Sequence, residues 1–391
     1  MNGWLEPLLI AVGLVGHVIL WTALVNRIHG LGVARWIVDI LTYACGVALL
    51  AIPAAILWDP VTSGTWNLGI IGSIYFAFCS ILAVWSAIDR WWLRRADRAR
   101  NLLLGNHTQV LDLRATYGKE LLSPGVVRLL GGLPGNEILR IHVHEKCLEV
   151  PNLPSPLDGL RIVHLSDSHV SGRIAPEYSS AVVDRVNQLQ ADLIAITGDI
   201  VENESCIEVT ANLLGKLRAG WGVYFVLGNH DRKTDHGRIR QTLVDAGLTD
   251  VGGRSLQLAV RGVPMQIVGN ELPWFPMREE VAVEPSAFNL LLAHGPDQFA
   301  WAKQHGFQLM LAGHNHGGQI CMPMLGAIVA PSLSGTRFAG GTFRQGNTLL
   351  HVSRGTGSLS PIRWNCPPEI AVLTLRGQGT GSENLTIDFS S

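Results

Sequence analysis

Five short loops gather most of the residues in this chain that can bind metal or move protons. They read Ser166-Asp167-Ser168-His169, Gly198-Asp199, Gly228-Asn229-His230-Asp231, His294-Gly295 and Gly313-His314-Asn315-His316-Gly317-Gly318. Of the 14 histidines, five fall in these loops: His169, His230, His294, His314 and His316. A lone histidine is ordinarily a satisfied polar group. Five loops that mix carboxylate, amide and imidazole donors point instead to a centre for divalent first-row metals. Gly198, Gly228, Gly295 and Gly313 permit tight turns beside such a cluster.

Each loop follows an apolar run of strand length. Leu160–Leu165, Asp192–Thr197, Gly222–Leu227, Asn289–Ala293 and Phe307–Leu311 read as strands, and Pro176–Leu189, Ile207–Leu217 and Thr234–Ala246 read as amphipathic helices. Strands alternating with helices predict an α/β sheet, which presents ligand sites at the ends of its strands.

The loop series closely resembles the calcineurin-like metallophosphoesterase family. Asp167-x-His169, Gly198-Asp199, Gly228-Asn229-His230-Asp231, His294 and Gly313-His314-x-His316 stand in the family's order over residues 160–318. The resemblance continues through Gly317-Gly318-Gln319, Ser353-Arg354-Gly355-Thr356-Gly357 and Cys366-Pro367-Pro368-Glu369-Ile370. That tail is similar to a membrane-associated bacterial branch that includes UDP-diacylglucosamine pyrophosphatases.

The resemblance implies a four-layer αββα sandwich over residues 159–378, with strands near Gln319–Met322, Thr348–Val352 and Ile370–Leu375 completing the second sheet. It also implies two metals, with Mn²⁺ favoured and Fe, Zn²⁺ or Co²⁺ as alternatives. Asp167, His169, Asp199 and His316 would hold the first, and Asp199, Asn229, His294 and His314 the second, with Asp199 bridging. The pair would generate a hydroxide from a shared water to attack phosphorus. His230 would serve the leaving oxygen, with Asp231 behind it to orient the ring.

Other residues divide between chemistry and plain structure. Ser168 replaces the Leu or Ile common in the first motif, and Asn270–Met277 stands where many relatives carry an acidic pair. Within it, Trp274, Phe275 and Met277 have two equal readings, a contact for acyl chain or membrane and a packed loop. Arg173, Arg232 and Arg354 are candidate phosphate contacts, although each is a common type of surface residue. His142 and His144 share a strand face without a third ligand, so they read as ordinary histidines. The six cysteines form no dense framework and no C-x-x-C pair, which predicts free thiols in a reducing compartment.

The first 88 residues differ from the rest. They hold five charges, Glu6, Arg27, Arg35, Asp39 and Asp59, and eight of the 12 tryptophans lie within the first 92 residues. Uncharged stretches predict membrane-spanning helices at about 8–26, 38–58 and 66–88. Arg27 and Arg35 mark the first connection, and Arg90, Arg94, Arg95, Arg98 and Arg100 follow the third span. Basic segments stay inside. The N-terminus is therefore expected outside the inner membrane, with the catalytic region in the cytoplasm. Residues 89–158 read as a basic connecting region with a strand near Glu137–Val150, and 379–391 as a tail.

The function expected is a membrane-anchored metal-dependent phosphoesterase acting on a phosphodiester or pyrophosphate, such as a lipid-linked UDP-diacylglucosamine. A broad phosphodiesterase on soluble nucleotides is the alternative. A non-catalytic membrane scaffold would be expected to have lost ligands that this chain retains. The net charge of −1 argues against a nucleic-acid partner.

Overall fold

A computed structural model describes residues 5–96, 103–323 and 326–378. The expected tail 379–391 and the basic residues Arg98 and Arg100 lie outside the described residues. The chain divides into two compact units, one of residues 1–98 with 328–337 and the other of the remainder.

The first unit contains α1 (Leu5–His29), α2 (Arg35–Ser63) and α3 (Gly69–Ala96). All three are long and apolar enough to cross a membrane. Helices α1 and α3 approach closely because Gly13 and Gly16 carry no side chain there. A Cβ on Gly16 would stand 1.7 Å from the Cys79 carbonyl oxygen. Small residues at such a crossing are how helices pack where water provides no driving force. Buried His17 ties the bundle together, with Nδ1 2.6 Å from the Tyr75 hydroxyl and Nε2 3.0 Å from the Leu49 carbonyl. Asn26 on α1 fastens the Ile328–Arg337 segment by bonding the Ile328 carbonyl and the Ala330 amide.

The second unit is a sandwich of two sheets. Strands β1 (Leu103–Asp112), β2 (Arg140–Glu149), β3 (Arg161–Leu165), β4 (Leu193–Thr197), β5 (Val223–Val226) and β6 (Thr249–Asp250) belong to the first. Strands β7 (Ser255–Val260), β8 (Val263–Asn270), β9 (Phe288–Ala293) and β10 (Leu309–Ala312) enter the second. Strands β11 (Cys321–Met322) and β12 (Gly326–Ala327) form a separate pair. The second sheet ends with β13 (Gly341–Gln345) and β14 (Thr348–Val352), and β15 (Glu369–Arg376) returns to the first. The orders are β1-β2-β15-β3-β4-β5-β6 and β13-β14-β10-β9-β8-β7.

Between β3 and β6 the chain alternates with helices α6 (Pro176–Gln188), α7 (Ile207–Leu214) and α8 (His236–Asp245), after the short α4 (Leu113–Tyr117) and α5 (Val126–Gly131). The strands joined by these crossovers are parallel. Such strands are covered on both faces, and every residue of β4 and β5 is buried. One core layer packs Val163, Ile194 and Ile196 against Val182, Val186, Ile207 and Ile239 of the helices. Ile162, Leu193 and Val226 of the first sheet meet Ile267, Leu290 and Leu309 of the second in the middle layer. Beyond the second sheet lie Phe299 and Ala302 of α9 (Phe299–Gln304). The result is the four-layer αββα sandwich.

Two expectations need correction. Residues 103–149 are not merely a connection, because β1 and β2 extend the first sheet. Ile141, Val143 and Leu148 of β2 are fully buried and require that cover. Of the three strands expected to complete the second sheet, only β14 does so. Strand β15 enters the first sheet, antiparallel to β3 and parallel to β2, while Cys321–Met322 pairs with Gly326–Ala327 alone. A strand such as Ile370–Leu375, apolar but for Thr374, suits a place buried on both faces in either sheet, so its composition does not select its neighbours.

Candidate metal centre

The strand ends bring the seven expected ligands together. Asp167 and His169 follow β3, Asp199 follows β4, Asn229 follows β5, His294 follows β9, and His314 and His316 follow β10. Asp167, His169 and His316 form one buried donor group, and Asp199, His294 and His314 another. In the first, the Nε2 atoms of His169 and His316 are 2.9 Å apart, and His316 Nε2 is 3.4 Å from Asp167 Oδ1. In the second, His294 Nε2 lies 3.1 Å from both His314 Nδ1 and Asn229 Oδ1. Asp199 Oδ2 faces both groups, 3.6 Å from His169 Nε2 and 3.2 Å from His294 Nε2.

This geometry carries local strain. Asp167, His169, Asp199, His314 and His316 all have positive φ, between 44° and 72°. Non-glycine residues rarely adopt that conformation, and it gathers at functional sites where the surroundings impose it. The glycines leave no room for substitution. A Cβ on Gly313 would meet Ser166 Oγ at 1.7 Å and Asp167 Oδ2 at 2.4 Å, and one on Gly228 would meet Asp199 Oδ1 at 2.3 Å.

The donor set suits divalent cations. Imidazole nitrogens converge without enough hydrogens to satisfy each contact, and two buried carboxylates stand among them. Burial pushes the Asp167 carboxyl up, and neighbouring Asp199 adds to this. Burial also opposes ionisation of Asp199, but His294 and His230 hold its carboxyl well below the usual range. Although burial disfavours a charged imidazole at His294, Asp199 raises that ring to about 9. His294 Nδ1 donates to the Thr197 carbonyl at 2.8 Å, which leaves Nε2 free to face the centre.

His230 lies half-buried beside the first donor group, its ring centroid 4.9 Å from that of His169. Asp231 does not orient this ring. Its Oδ1 accepts from the Ile200 and Val201 amides and its Oδ2 from the Gly228 amide, all at 2.9 Å. Burial and Asp199 push its carboxyl up to about 7. Glu202, which sequence reasoning missed, stands where Asp231 was expected. Its Oε1 lies 2.6 Å from His230 Nδ1 and 2.5 Å from His169 Nδ1. Burial would raise this carboxyl, but hydrogen bonds from the two rings bring it to about 2.

The remaining candidates fall outside or around the centre. The Trp274 ring packs 5.1 Å from His294 and 4.9 Å from His314, while Phe275 packs on His236 and beneath Arg240. The 270–278 loop is therefore a packed wall of the second donor group. Arg173 donates to the Leu359 carbonyl, Arg354 bonds His144 and faces Glu369, and Arg232 is exposed. His142 and His144 form no metal pair, since His144 is engaged by Thr108 and Arg354. All six cysteines are free thiols.

Two oxygen- and nitrogen-rich groups sharing a carboxylate at the strand ends of an αββα sandwich define a metal-dependent phosphoesterase. The calcineurin-like phosphoesterase family matches residues 160–318. The uncharacterized metallophosphoesterase YkuE of Bacillus subtilis (strain 168) is 31% identical over 282 residues, covering 68% of this chain and 96% of that protein. The chain belongs to the calcineurin-like metallophosphoesterase family. Phosphodiesterase YaeI of Escherichia coli (strain K12) is 30% identical over 221 residues, 55% of this chain and 82% of that protein. The UDP-2,3-diacylglucosamine pyrophosphatase LpxG of Chlamydia muridarum is 24% identical over 292 residues, 57% of this chain and 86% of that protein.

Proposed function

We propose that this enzyme is anchored in the inner membrane by its three apolar helices and hydrolyses a phosphodiester or pyrophosphate bond in a lipid-linked substrate. The observation that carries the hydrolytic part is Asp199 Oδ2, which faces both donor groups. Asp167, His169, Asp199 and His316 hold the first cation, and Asp199, Asn229, His294 and His314 the second, with Mn²⁺ favoured. When bound, such a pair lowers the pKa of a shared water and neutralises phosphoryl oxygens. Asn229 contributes an oxygen without adding negative charge. His230 serves the leaving oxygen through Nε2, with Glu202 accepting from its Nδ1, and Lys233 Nζ lies 3.1 Å from the same Nε2.

The lipid-linked substrate is supported by the three helices and by the similarity to LpxG. Anchoring confines enzyme and substrate to one surface. A UDP-diacylglucosamine-type pyrophosphate is the most specific candidate. The basic residues Arg90, Arg94 and Arg95 at the end of α3, with Arg98 and Arg100 beyond it in the sequence, support a cytoplasmic catalytic unit, and a C-terminal reporter active only in the periplasm would exclude that topology. The name phosphodiesterase borne by YaeI supports hydrolysis of a phosphodiester, and a second reading gives this enzyme soluble nucleotide substrates of that kind.

The deciding experiment compares purified enzyme on a vesicle-presented UDP-diacylglucosamine and on soluble nucleotide phosphodiesters, with Asp199→Asn as control. Faster turnover of the lipid, abolished by the substitution, is expected. Efficient hydrolysis of the soluble substrates alone would replace the first reading with the second.

A further inference from the structure

Arg363 is among the largest side chains that are fully buried in this protein, yet its hydrogen bonds reach no carboxylate. Nη1 donates to the carbonyls of His316 at 2.9 Å and Arg354 at 2.8 Å. Nη2 donates to the Gly357 carbonyl at 2.5 Å and reaches His316 Nδ1 at 3.1 Å. Burying a guanidinium without a carboxylate partner is costly; here backbone carbonyl dipoles and the Cys366 Sγ, 4.0 Å from Nη1, offset that cost, while Nε makes no hydrogen bond. Nη1 thus holds the His316 backbone, while Nη2 is taken by the Gly357 carbonyl and only abuts the ring, since a ring that ligates through Nε2 carries its hydrogen on Nδ1.

The segment that Arg363 gathers lies directly beneath the first donor group. The Thr356 and Gly357 amides donate to the Ser166 and Asp167 carbonyls. A Cβ on Gly355 would come within 2.8 Å of Asp167 Cβ and 3.4 Å of His316 Nδ1. Arg363 itself is held from behind, its amide donating to Asn136 Oδ1 and its carbonyl accepting from the Glu137 amide. His316 sits at φ 50° and is followed by Gly317 at φ 65°, a turn that needs external restraint.

We propose that Arg363 is a positioning residue, its guanidinium gathering the backbone carbonyls of His316, Arg354 and Gly357 so that the His316 ring presents Nε2 to the first cation. This rests on the metal assignment above. His294, by contrast, is held through its ring, Nδ1 donating to the Thr197 carbonyl. Arg363 therefore serves one cation of the two. Outer partners of ligating histidines typically change metal affinity about 10–100-fold.

The test is Mn²⁺ binding to the full-length protein in detergent, measured by metal content after gel filtration and by electron paramagnetic resonance. Wild type is expected to hold two ions per chain with an exchange-coupled signal. Arg363→Met is expected to hold one, with an uncoupled signal and at least tenfold weaker uptake of the second equivalent. Arg363→Lys keeps the charge but loses the fork, and provides the same comparison if Arg363→Met does not fold. Circular dichroism checks the fold of each variant. Two coupled ions at unchanged affinity in a folded variant would overturn the Arg363 assignment alone. Failure of wild type to bind any ion would overturn the metal assignment and this proposal with it.

Discussion

Glu202 and Asp231 divide work that adjacency in the sequence assigns to one carboxylate. Asp231 follows His230 directly, but the chain turns there, and its oxygens are consumed by three backbone amides. Glu202 comes from a different strand end and reaches the ring. Glu202→Gln is therefore expected to lower kcat about 10²-fold on substrates with poor leaving groups, and less on p-nitrophenyl esters. Asp231→Asn places an amide NH₂ against backbone donors and should cost about 1–3 kcal/mol of stability. A leaving-group series and thermal melts on both variants check this, and the reverse pattern would exchange their roles. The gathering of the seven expected donors was legible because such residue types are concentrated in short loops after strands. Glu202 and Arg363 were not legible, since an outer carboxylate or guanidinium is a common residue whose partner is chosen only by folding.

At the scale of elements, periodicity revealed the strands that carry ligands but not the partners they choose. Strands β3, β4, β5, β9 and β10 are apolar runs between turns, and all lie where expected within a residue or two. Pairing is a different matter, because it joins residues far apart in sequence. Strand β2 pairs with β15 across more than 200 residues, with Val143 opposite Ile370. The basic residues and glycines flanking β2 concealed its place in the sheet. Its membership has a measurable consequence. Ile141 is fully buried in the core layer beneath the helices. Ile141→Ala should cost about 2–5 kcal/mol of unfolding free energy. Urea unfolding of the full-length protein in detergent measures it, and a change below about 0.5 kcal/mol would return 103–149 to the status of a connection.

At the scale of the whole catalytic unit, a buried polar chain joins the two sheets and ends at the metal centre. Lys146 Nζ bonds Glu369 at 2.7 Å and His351 Nε2 at 2.9 Å. His351 Nδ1 meets His164 Nδ1 at 2.9 Å, and His164 Nε2 meets Thr197 Oγ1 at 2.8 Å. Lys146 must donate, so His351 Nε2 accepts and its Nδ1–H donates to His164, which donates onward to Thr197. This order needs both rings neutral, because a further proton on His164 would set two hydrogens face to face between the Nδ1 atoms, and one on His351 Nε2 would face Lys146 Nζ. Burial drives His164 down to about 3 from 6.5, and burial with Lys146 lowers His351 as well. Between pH 6.5 and 3 the unfolded state therefore binds a proton at His164 that the folded state refuses, and stability falls as pH falls. The slope is about 1.4 kcal/mol per pH unit for each such histidine. Lys146 and Arg354 hold Glu369 well below its ordinary value of 4.5 despite burial, which adds further loss only in more acidic solution. Asp231, raised to about 7, contributes a slope of opposite sign from pH 6 to 5, so the difference between wild type and a His164 variant, not the wild-type slope alone, reports the histidine. With Mn²⁺ saturating, His164→Gln should flatten the wild-type dependence of unfolding free energy there by about 1 kcal/mol per pH unit. Equal slopes for the two proteins would mean that the chain accepts a proton in the folded state. The two sheets would then not be joined by neutral imidazoles.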